Sequence, residues 1–297
     1  MHNHYAATDN TMTMQRSAST SDISGCNKNG LLAGQVALVT GASGGIGEYI
    51  AKRYAMEGAR VVVSARTLDS GDHYLPGGIK DTVQAINDAG GEAFAVPSDL
   101  SKHEDLARLV DETHTRFGAC DILVNNAAIT YFTPVAQFQQ KHYDLMMDVQ
   151  VWAPFYLSQL VLPGMRKRGH GRILNVSSGA AMHPDKTLMA RGSTVYGMCK
   201  AALERFTTGL AQETYNDGIG VNVISPGLVA TPGVEHHKLI NDSNRDSVTP
   251  VEHMAEACLR LVHGDTQELT GRIDHADEVM KEFSLNAVDI DATFQKI

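Results

Sequence analysis

The chain has 297 residues, 43% of them hydrophobic and 20% charged, which is enough for one large domain or two modest ones with a sizeable core. Acidic residues outnumber basic ones by 34 to 25, and the resulting net charge of −9 disfavours partners such as nucleic acid or an anionic membrane. No apolar run approaches the ~18 residues of a membrane helix, and the four cysteines form no Cys-x-x-Cys pair, which favours reduced thiols and a cytoplasmic location.

The two ends of the chain differ in composition from the rest. Residues 1–30 are rich in Ser, Thr, Asn and Met and show no periodic apolar pattern, so we predict a flexible tail, with a targeting role as the alternative. Residues 31–297 show no composition break and no internal repeat, which predicts a single domain. Within it, residues 278–297 are acidic and weakly patterned, and we expect this atypical C-terminal extension to be loose or to cover a neighbouring subunit.

Short apolar runs alternate with amphipathic stretches from Leu31 onward. We predict β-strands at Val36–Thr40, Arg60–Ser64, Ala93–Val96, Ile122–Val124, Arg172–Val176 and Gly220–Ile224. Nearly continuous apolar strands that alternate with helices are typical of a parallel sheet covered on both faces. The fold class predicted is therefore α/β, a Rossmann-type doubly wound parallel sheet of about seven strands with helices on both faces.

Two helix starts carry capping-box patterns. Ser101 with Glu104 predicts the start of a helix that runs towards Phe117. Thr249 with Glu252, separated by a first-turn proline, predicts the start of a late helix.

A glycine-rich turn follows the first strand. Thr40 is followed by glycines at positions 41, 45 and 47, and a helical pattern begins within this segment. Glycines permit a tight turn and a close backbone approach, and the first N–H groups of the helix, at its positive dipole end, suit a pyrophosphate. The strand–turn–helix context therefore predicts a nucleotide site.

This turn has the spacing G-x3-G-x-G, which resembles that of the short-chain dehydrogenase/reductase family in its compact, single-domain branch. Further matches follow in the family's order: Asp99-Leu100, Asn125–Ala128, Ser177-Ser178, Tyr196 with Lys200, and Pro226–Thr231. The resemblance covers about residues 33–275. It implies that the following residues bind the cofactor: Gly41, Ser43, Gly45, Ile46, Gly47, Arg66, Asp99, Leu100, Asn126, Tyr196, Lys200, Pro226, Gly227, Val229 and Thr231.

The end of the second strand predicts which nicotinamide cofactor is used. An NAD site usually places an acid there, on the ribose 2′-hydroxyl, whereas a basic residue suits the 2′-phosphate of NADP. This chain has Ala65 at the acid's position, followed by Arg66, whose guanidinium suits a phosphate. We predict NADP(H) as the preferred cofactor, with NAD(H) as the alternative.

Tyr196 and Lys200 are four residues apart and would share one helix face. The resemblance implies that Tyr196 is the general acid/base, that Lys200 lowers its pKa and holds the nicotinamide ribose, and that Ser178 hydrogen-bonds the reacting oxygen. Ser178 is preferred to Ser177 because the second serine of the family's pair is the catalytic one. Gln150 stands where many relatives have an asparagine that supports a proton path from the lysine, so its catalytic role is an open question.

Two loops are expected to shape the substrate pocket. Gly179–Val195 is longer than the family norm and would emerge at the carboxyl end of the sheet, and Leu228–Asn244 would form a mobile lid. No further ligands lie at useful spacing from the histidine pair at 236–237, so no metal site is predicted. An aromatic group is expected in the pocket wall or the core: Tyr131, Phe132 and Phe138.

The pattern as a whole favours an enzyme. The expected reaction is hydride transfer between a nicotinamide and a carbonyl/secondary alcohol substrate, with a hydrophobic or alicyclic substrate suggested by the Met, Leu and aromatic pocket candidates. The alternatives are a non-catalytic NAD(P)-sensing regulator and a sugar-nucleotide epimerase or dehydratase of the family's longer branch. By the same resemblance, a homodimer or homotetramer would form through two long helices, at about Lys141–Met165 and Thr194–Tyr215.

Overall fold

The computed structural model describes residues 25–71, 75–186 and 192–295. Within these ranges a seven-stranded, all-parallel sheet has the strand order β3-β2-β1-β4-β5-β6-β9, and β7 and β8 form a separate parallel pair. The strands are β1 (Val36–Thr40), β2 (Arg60–Ala65), β3 (Glu92–Pro97), β4 (Ile122–Asn125), β5 (Gly171–Val176), β6 (Ile219–Ser225), β7 (Leu228–Val229), β8 (Val248–Thr249) and β9 (Ile273–His275). The predicted fold class is confirmed.

Helices cover both faces of the sheet. They are α1 (Gly45–Met56), α2 (Ile79–Asp88), α3 (His103–Phe117), α4 (Gln140–Met147), α5 (Ala153–Arg168), α6 (Thr194–Thr214), α7 (Pro232–His236), α8 (Val251–Val262), α9 (Ala276–Glu282) and α10 (Ile290–Gln295). A π-helical turn, Asp148–Trp152, joins α4 to α5. None of the helices in the described ranges is both long enough and apolar enough to cross a membrane.

The apolar strands supply two cores because successive side chains point to opposite faces. In β1, Ala37 and Val39 join the core beneath α1, α2 and α8, whereas Val36 and Leu38 join the core beneath α3 and α5. Every residue of β1 is buried, which explains why the strand reads as a continuous apolar run instead of an alternating one.

The sheet reverses its strand order between β1 and β4, and this reversal positions the site. Both strands are parallel neighbours, with Val39 opposite Val124, so their carboxyl ends emerge side by side. In open α/β sheets, the crevice at such a switch point is where ligands bind.

Both predicted capping boxes are wrong. Helix α3 begins at His103, and the Ser101 hydroxyl donates to Asp99 Oδ1 instead of capping the helix. Helix α8 begins after Pro250, and the Thr249 hydroxyl donates to Asp277 Oδ2. In each case the hydroxyl that the pattern predicted as the helix cap donates its hydrogen bond to a carboxylate instead.

The two chain ends contact the sheet domain where they are described. In the predicted 1–30 tail, residues 1–24 lie outside the described residues, and the backbone N–H groups of Cys26 and Asn27 donate to the ends of α2 and α1. In the C-terminal extension, Ile290 is fully buried beside α1 and α8, and the Tyr49 hydroxyl donates to Asp291 Oδ2 at 2.6 Å. The expectation of a loose extension is wrong, because apolar contacts hold it on the same chain.

Candidate active site

The glycine turn between β1 and α1 requires glycine at specific positions. Gly41 and Gly45 have φ values of +67° and +57°, in the left-handed region that favours glycine. A Cβ on Gly47 would overlap the carbonyl oxygen of Gly41. The N-cap residue of α1 is Gly44, which has no side chain to cap the first N–H groups of the helix. The turn therefore has the shape and the donors that fit a dinucleotide pyrophosphate.

Thr40 and Asn126 lock this turn to the end of β4. The Thr40 hydroxyl donates to the Val124 carbonyl at 3.2 Å and accepts the backbone N–H of Asn126 at 3.1 Å. The Asn126 amide donates to the carbonyl oxygens of Thr40 and Gly41, at 2.9 and 3.1 Å. The side chain of Asn126 thus holds the glycine turn in place. The Thr40 hydroxyl also holds it, a role that the sequence did not reveal.

Ser178, Tyr196 and Lys200 come together at the carboxyl end of β5. Ser178 follows β5, and the other two residues lie one turn apart on α6. The side chains of Ser178 and Tyr196 are hydrogen-bonded, and Lys200 Nζ lies 5.6 Å from the centre of the Tyr196 ring. Lys200 is buried and donates to the Val176 carbonyl at 2.8 Å.

The electrostatics of this group differ from the sequence-based expectation. Burial raises the pKa of Tyr196, the hydrogen bond from Ser178 opposes this shift, and the neighbouring Cys199 adds to it. Burial also lowers the pKa of Lys200 to about 8. Desolvation is thus the largest effect on the pKa of both groups. That Lys200 lowers the pKa of Tyr196 when the nicotinamide is bound stays a prediction.

Gln150 is buried in the π-helical turn. Its Nε2 donates to the Ile129 carbonyl at 2.9 Å, and its buried Oε1 has no hydrogen-bond partner among the described residues. The described hydrogen bond of Gln150 supports the backbone at Ile129.

The Pro226–Thr231 segment ends beside the glycine turn. Thr231 caps α7 by accepting the Val234 N–H, and its side chain lies within van der Waals reach of a Cβ placed on Gly45. A Cβ on Gly227 would overlap the Thr249 hydroxyl, which explains the glycine there. Val229 is buried in β7. The structure thus brings the first and the last predicted cofactor motifs together.

The remaining predicted cofactor residues line the same edge. Arg66 is exposed just after β2, and Leu100 is buried after β3. Asp99 Oδ1 accepts both the N–H and the hydroxyl of Ser101. Ile46 packs into the core beneath α1, and the carbonyl of Ser43 lies against Gly77.

Aromatic side chains extend from Tyr196 towards α7. The Phe132 ring lies edge-on to Tyr196, with centroids 6.2 Å apart, and edge-on to His237 at 5.2 Å. Tyr131 and Phe138 instead pack with Val195 and other buried side chains. Of this predicted aromatic group, Phe132 faces the site and the other two belong to the core.

The two pocket loops are described in part. The 228–244 segment contains β7 and α7, and a short 3₁₀ turn, Gly179–Ala181, begins the longer loop. Residues 187–191 of that loop lie outside the described residues. Within the described ranges, no group of three or more His, Cys, Asp or Glu side chains could hold a metal ion.

A profile of the short chain dehydrogenase family matches residues 35–239, which include the glycine turn and the Ser178, Tyr196 and Lys200 group. This chain belongs to that family. The finding agrees with the motifs that suggested the resemblance. The Rossmann-type sheet is also the fold of the solved relative described next.

Similar proteins come from several bacteria. The ketoacyl reductase HetN of Nostoc sp. is 31% identical over 80% of this chain and 78% of its own, and the short-chain reductase NovJ of Streptomyces niveus is 34% identical over 82% and 92%. A solved structure, of a candidate NAD(P)-dependent gluconate 5-dehydrogenase from Beutenbergia cavernae with NADP bound at low occupancy, is 29% identical. It covers 82% of this chain and 96% of that protein, with a TM-score of 0.72. These relatives are oxidoreductases, and this chain is similar to them along most of its length.

Proposed function

We propose that this protein is an NADP(H)-preferring oxidoreductase that interconverts a carbonyl and a secondary alcohol. The observation that carries the proposal is the meeting of Ser178, Tyr196 and Lys200 at the carboxyl edge of the parallel sheet, the edge that also carries the glycine turn. A phenol, a hydroxyl and an ammonium at one sheet edge form an acid–base group with a donor for a developing oxyanion.

In this proposal Tyr196 exchanges a proton with the substrate oxygen. Because burial raises the pKa of Tyr196, the phenol holds its proton at neutral pH, which suits donation to a carbonyl oxygen. Ser178 hydrogen-bonds both Tyr196 and the substrate oxygen, and Lys200 holds the nicotinamide ribose. When bound, the reduced cofactor would donate a hydride to the carbonyl carbon, and the oxidised cofactor would accept one from the alcohol carbon. No step is assigned to Gln150, whose amide supports the backbone.

The dinucleotide would lie across the glycine turn. The N–H groups at the start of α1 would hold its pyrophosphate, and the Pro226–Thr231 segment would hold the carboxamide end. Exposed Arg66, next to Ala65, supports a preference for the 2′-phosphate of NADP, and NADP is the dinucleotide bound in the solved relative.

The substrate proposed is hydrophobic or alicyclic. Phe132 exposes apolar surface beside Tyr196, and Met182 exposes apolar surface at the start of the longer loop. These two side chains support an apolar pocket wall. The name of HetN, a ketoacyl reductase, supports a carbonyl as the reacting group.

A homodimer through the two long helix segments completes the proposal. Trp152 and Phe155 are large and partly exposed where α5 begins, and Phe155 contacts Phe206 of α6, so an apolar surface is available for a second copy.

The four cysteines are free thiols, which supports a cytoplasmic location.

The experiment is a turnover assay on a panel of ketones and alcohols with both cofactors. In Tyr196→Phe we expect kcat to fall by about 10²–10⁴-fold with the dissociation constant for NADPH unchanged, because the proton donor is lost and the fold is kept. Tyr215→Phe, at an exposed tyrosine just after the same helix, is the matched control and should behave as wild type. Full activity in Tyr196→Phe would refute the proposed mechanism.

A further inference from the structure

Ser177 and Glu204 form a hydrogen bond behind the proposed catalytic group. The Ser177 side chain is 2% exposed, and its hydroxyl donates to Glu204 Oε1 at 2.6 Å. The backbone N–H of Ser177 donates to the Ile224 carbonyl of β6. Ser177 is thus tied to α6 through its side chain and to the sheet through its backbone, and Ser178 is the next residue.

Glu204 lies on α6 one helical turn beyond Lys200, and no recognised motif includes it. Helix α6 therefore contacts the end of β5 through two successive turns, since Lys200 donates to the Val176 carbonyl and Glu204 accepts from Ser177. These two bonds flank the peptide that leads into Ser178.

Charges around the lysine are few in the described part of the chain. The groups that act electrostatically on the Lys200 ammonium are the Cys199 thiol and the Glu204 carboxylate, both on α6. From β5 it meets the Val176 carbonyl, and the Tyr196 ring lies 5.6 Å away. Burial disfavours the charged lysine, and the Glu204 charge opposes that effect.

We propose that Glu204 is a positioning residue: through Ser177 it fixes the end of β5 that carries Ser178, and it places a negative charge one turn from the Lys200 ammonium. This inference rests on the proposed function, since it assigns Glu204 a role in that reaction. The two effects are separable, because one needs the hydrogen bond and the other needs only the charge.

Three variants separate them. Glu204→Gln removes the charge but keeps an oxygen that accepts from Ser177. Ser177→Ala removes the bond but keeps the charge, and Glu204→Asp keeps the charge on a shorter side chain. Glu213→Gln, at an exposed position of the same helix, is the matched control.

The first measurement is kcat against pH, with the NADPH dissociation constant measured alongside. In Glu204→Gln we expect the alkaline limb of kcat to move to lower pH by about one unit, because the lysine loses a favourable charge. Ser177→Ala should lower kcat about tenfold without moving that limb, and Glu204→Asp should keep the wild-type limb. Glu213→Gln should match wild type in both respects.

The second measurement does not require turnover. NMR of protein labelled with ¹⁵N-lysine, with Lys200→Arg for assignment, follows the titration of the Lys200 ammonium directly. Its midpoint should move down in Glu204→Gln and stay in place in Ser177→Ala. An unmoved midpoint in Glu204→Gln, or a limb that moves equally in Glu213→Gln, would overturn the proposal.

The two proposals fail differently. If wild-type protein turned over no carbonyl or alcohol with either cofactor, the proposed function would fail, yet the NMR titration would still report whether Glu204 acts on Lys200. If wild type were active and both Glu204 variants matched it in kcat, pH profile and NMR midpoint, the positioning role alone would fail.

Discussion

Alanine at Gly47 tests whether the glycine turn is built for close backbone contact. A Cβ there would overlap the Gly41 carbonyl oxygen and lie 2.5 Å from Asn126 Nδ2. Neither atom can move freely, because Gly41 is part of the turn and the Asn126 amide is bonded to two of its carbonyls. The turn must open by about 1 Å to restore normal contact distances.

The expected cost follows from overpacking and from weakened hydrogen bonds. We expect the free energy of unfolding of Gly47→Ala to fall by about 2–4 kcal/mol, and the Tm by about 5–10 °C. The NADPH dissociation constant should rise by about tenfold or more, because the opened turn no longer presents its N–H groups together. Thermal unfolding without cofactor and a fluorescence titration with NADPH measure the two effects.

Gly164→Ala is the matched control. Gly164 lies inside α5, and a Cβ there would meet the flexible end of Arg168 at 3.3 Å. Alanine at this helical position should leave NADPH binding unchanged and raise stability by about 0.5–1 kcal/mol. If the two variants had the same Tm and the same NADPH affinity, the reasoning about the turn would be refuted.

Three further predictions concern stability and cofactor choice. Because burial lowers the pKa of Lys200 to about 8, the folded protein binds the lysine proton more weakly than the unfolded chain does. Lys200→Met should therefore raise the free energy of unfolding at pH 7 by about 1–3 kcal/mol. Urea titrations should show this gain shrinking towards pH 10, and a gain that stayed constant with pH would contradict the prediction. Thr40→Val removes the buried hydroxyl that accepts the part-buried Asn126 N–H, and it should lower stability by about 1–3 kcal/mol in the same assay. No change would mean that this hydrogen bond is dispensable for stability. Arg66→Ala should raise KM for NADPH about tenfold and leave KM for NADH unchanged, and an equal effect on both cofactors would exclude contact with the 2′-phosphate.

Local patterns were sufficient to predict the sheet and the motifs at its edge. The β1 strand and the glycines at 41, 45 and 47 depend on residues close together in the chain, so their spacing alone indicates a strand–turn–helix unit. The same holds for Tyr196 and Lys200, which one helical turn brings to the same face. Helix starts were less predictable. Ser101 and Thr249 fit the capping pattern, but their hydroxyls donate hydrogen bonds to the carboxylates of Asp99 and Asp277 instead.

The electrostatic state of the site was decided by tertiary structure. Sequence reasoning paired Tyr196 with Lys200, but it could not predict that desolvation would be the largest effect on the pKa of each group. It also could not find the bond from Ser177 to Glu204, which joins residues 27 positions apart on different elements. The sequence by itself determined the family, the positions of the apolar strands along the chain and the residue types available for proton transfer. Burial and hydrogen bonding between distant segments decided which of those residues meet and how tightly each holds its proton, because desolvation depends on everything packed around a group.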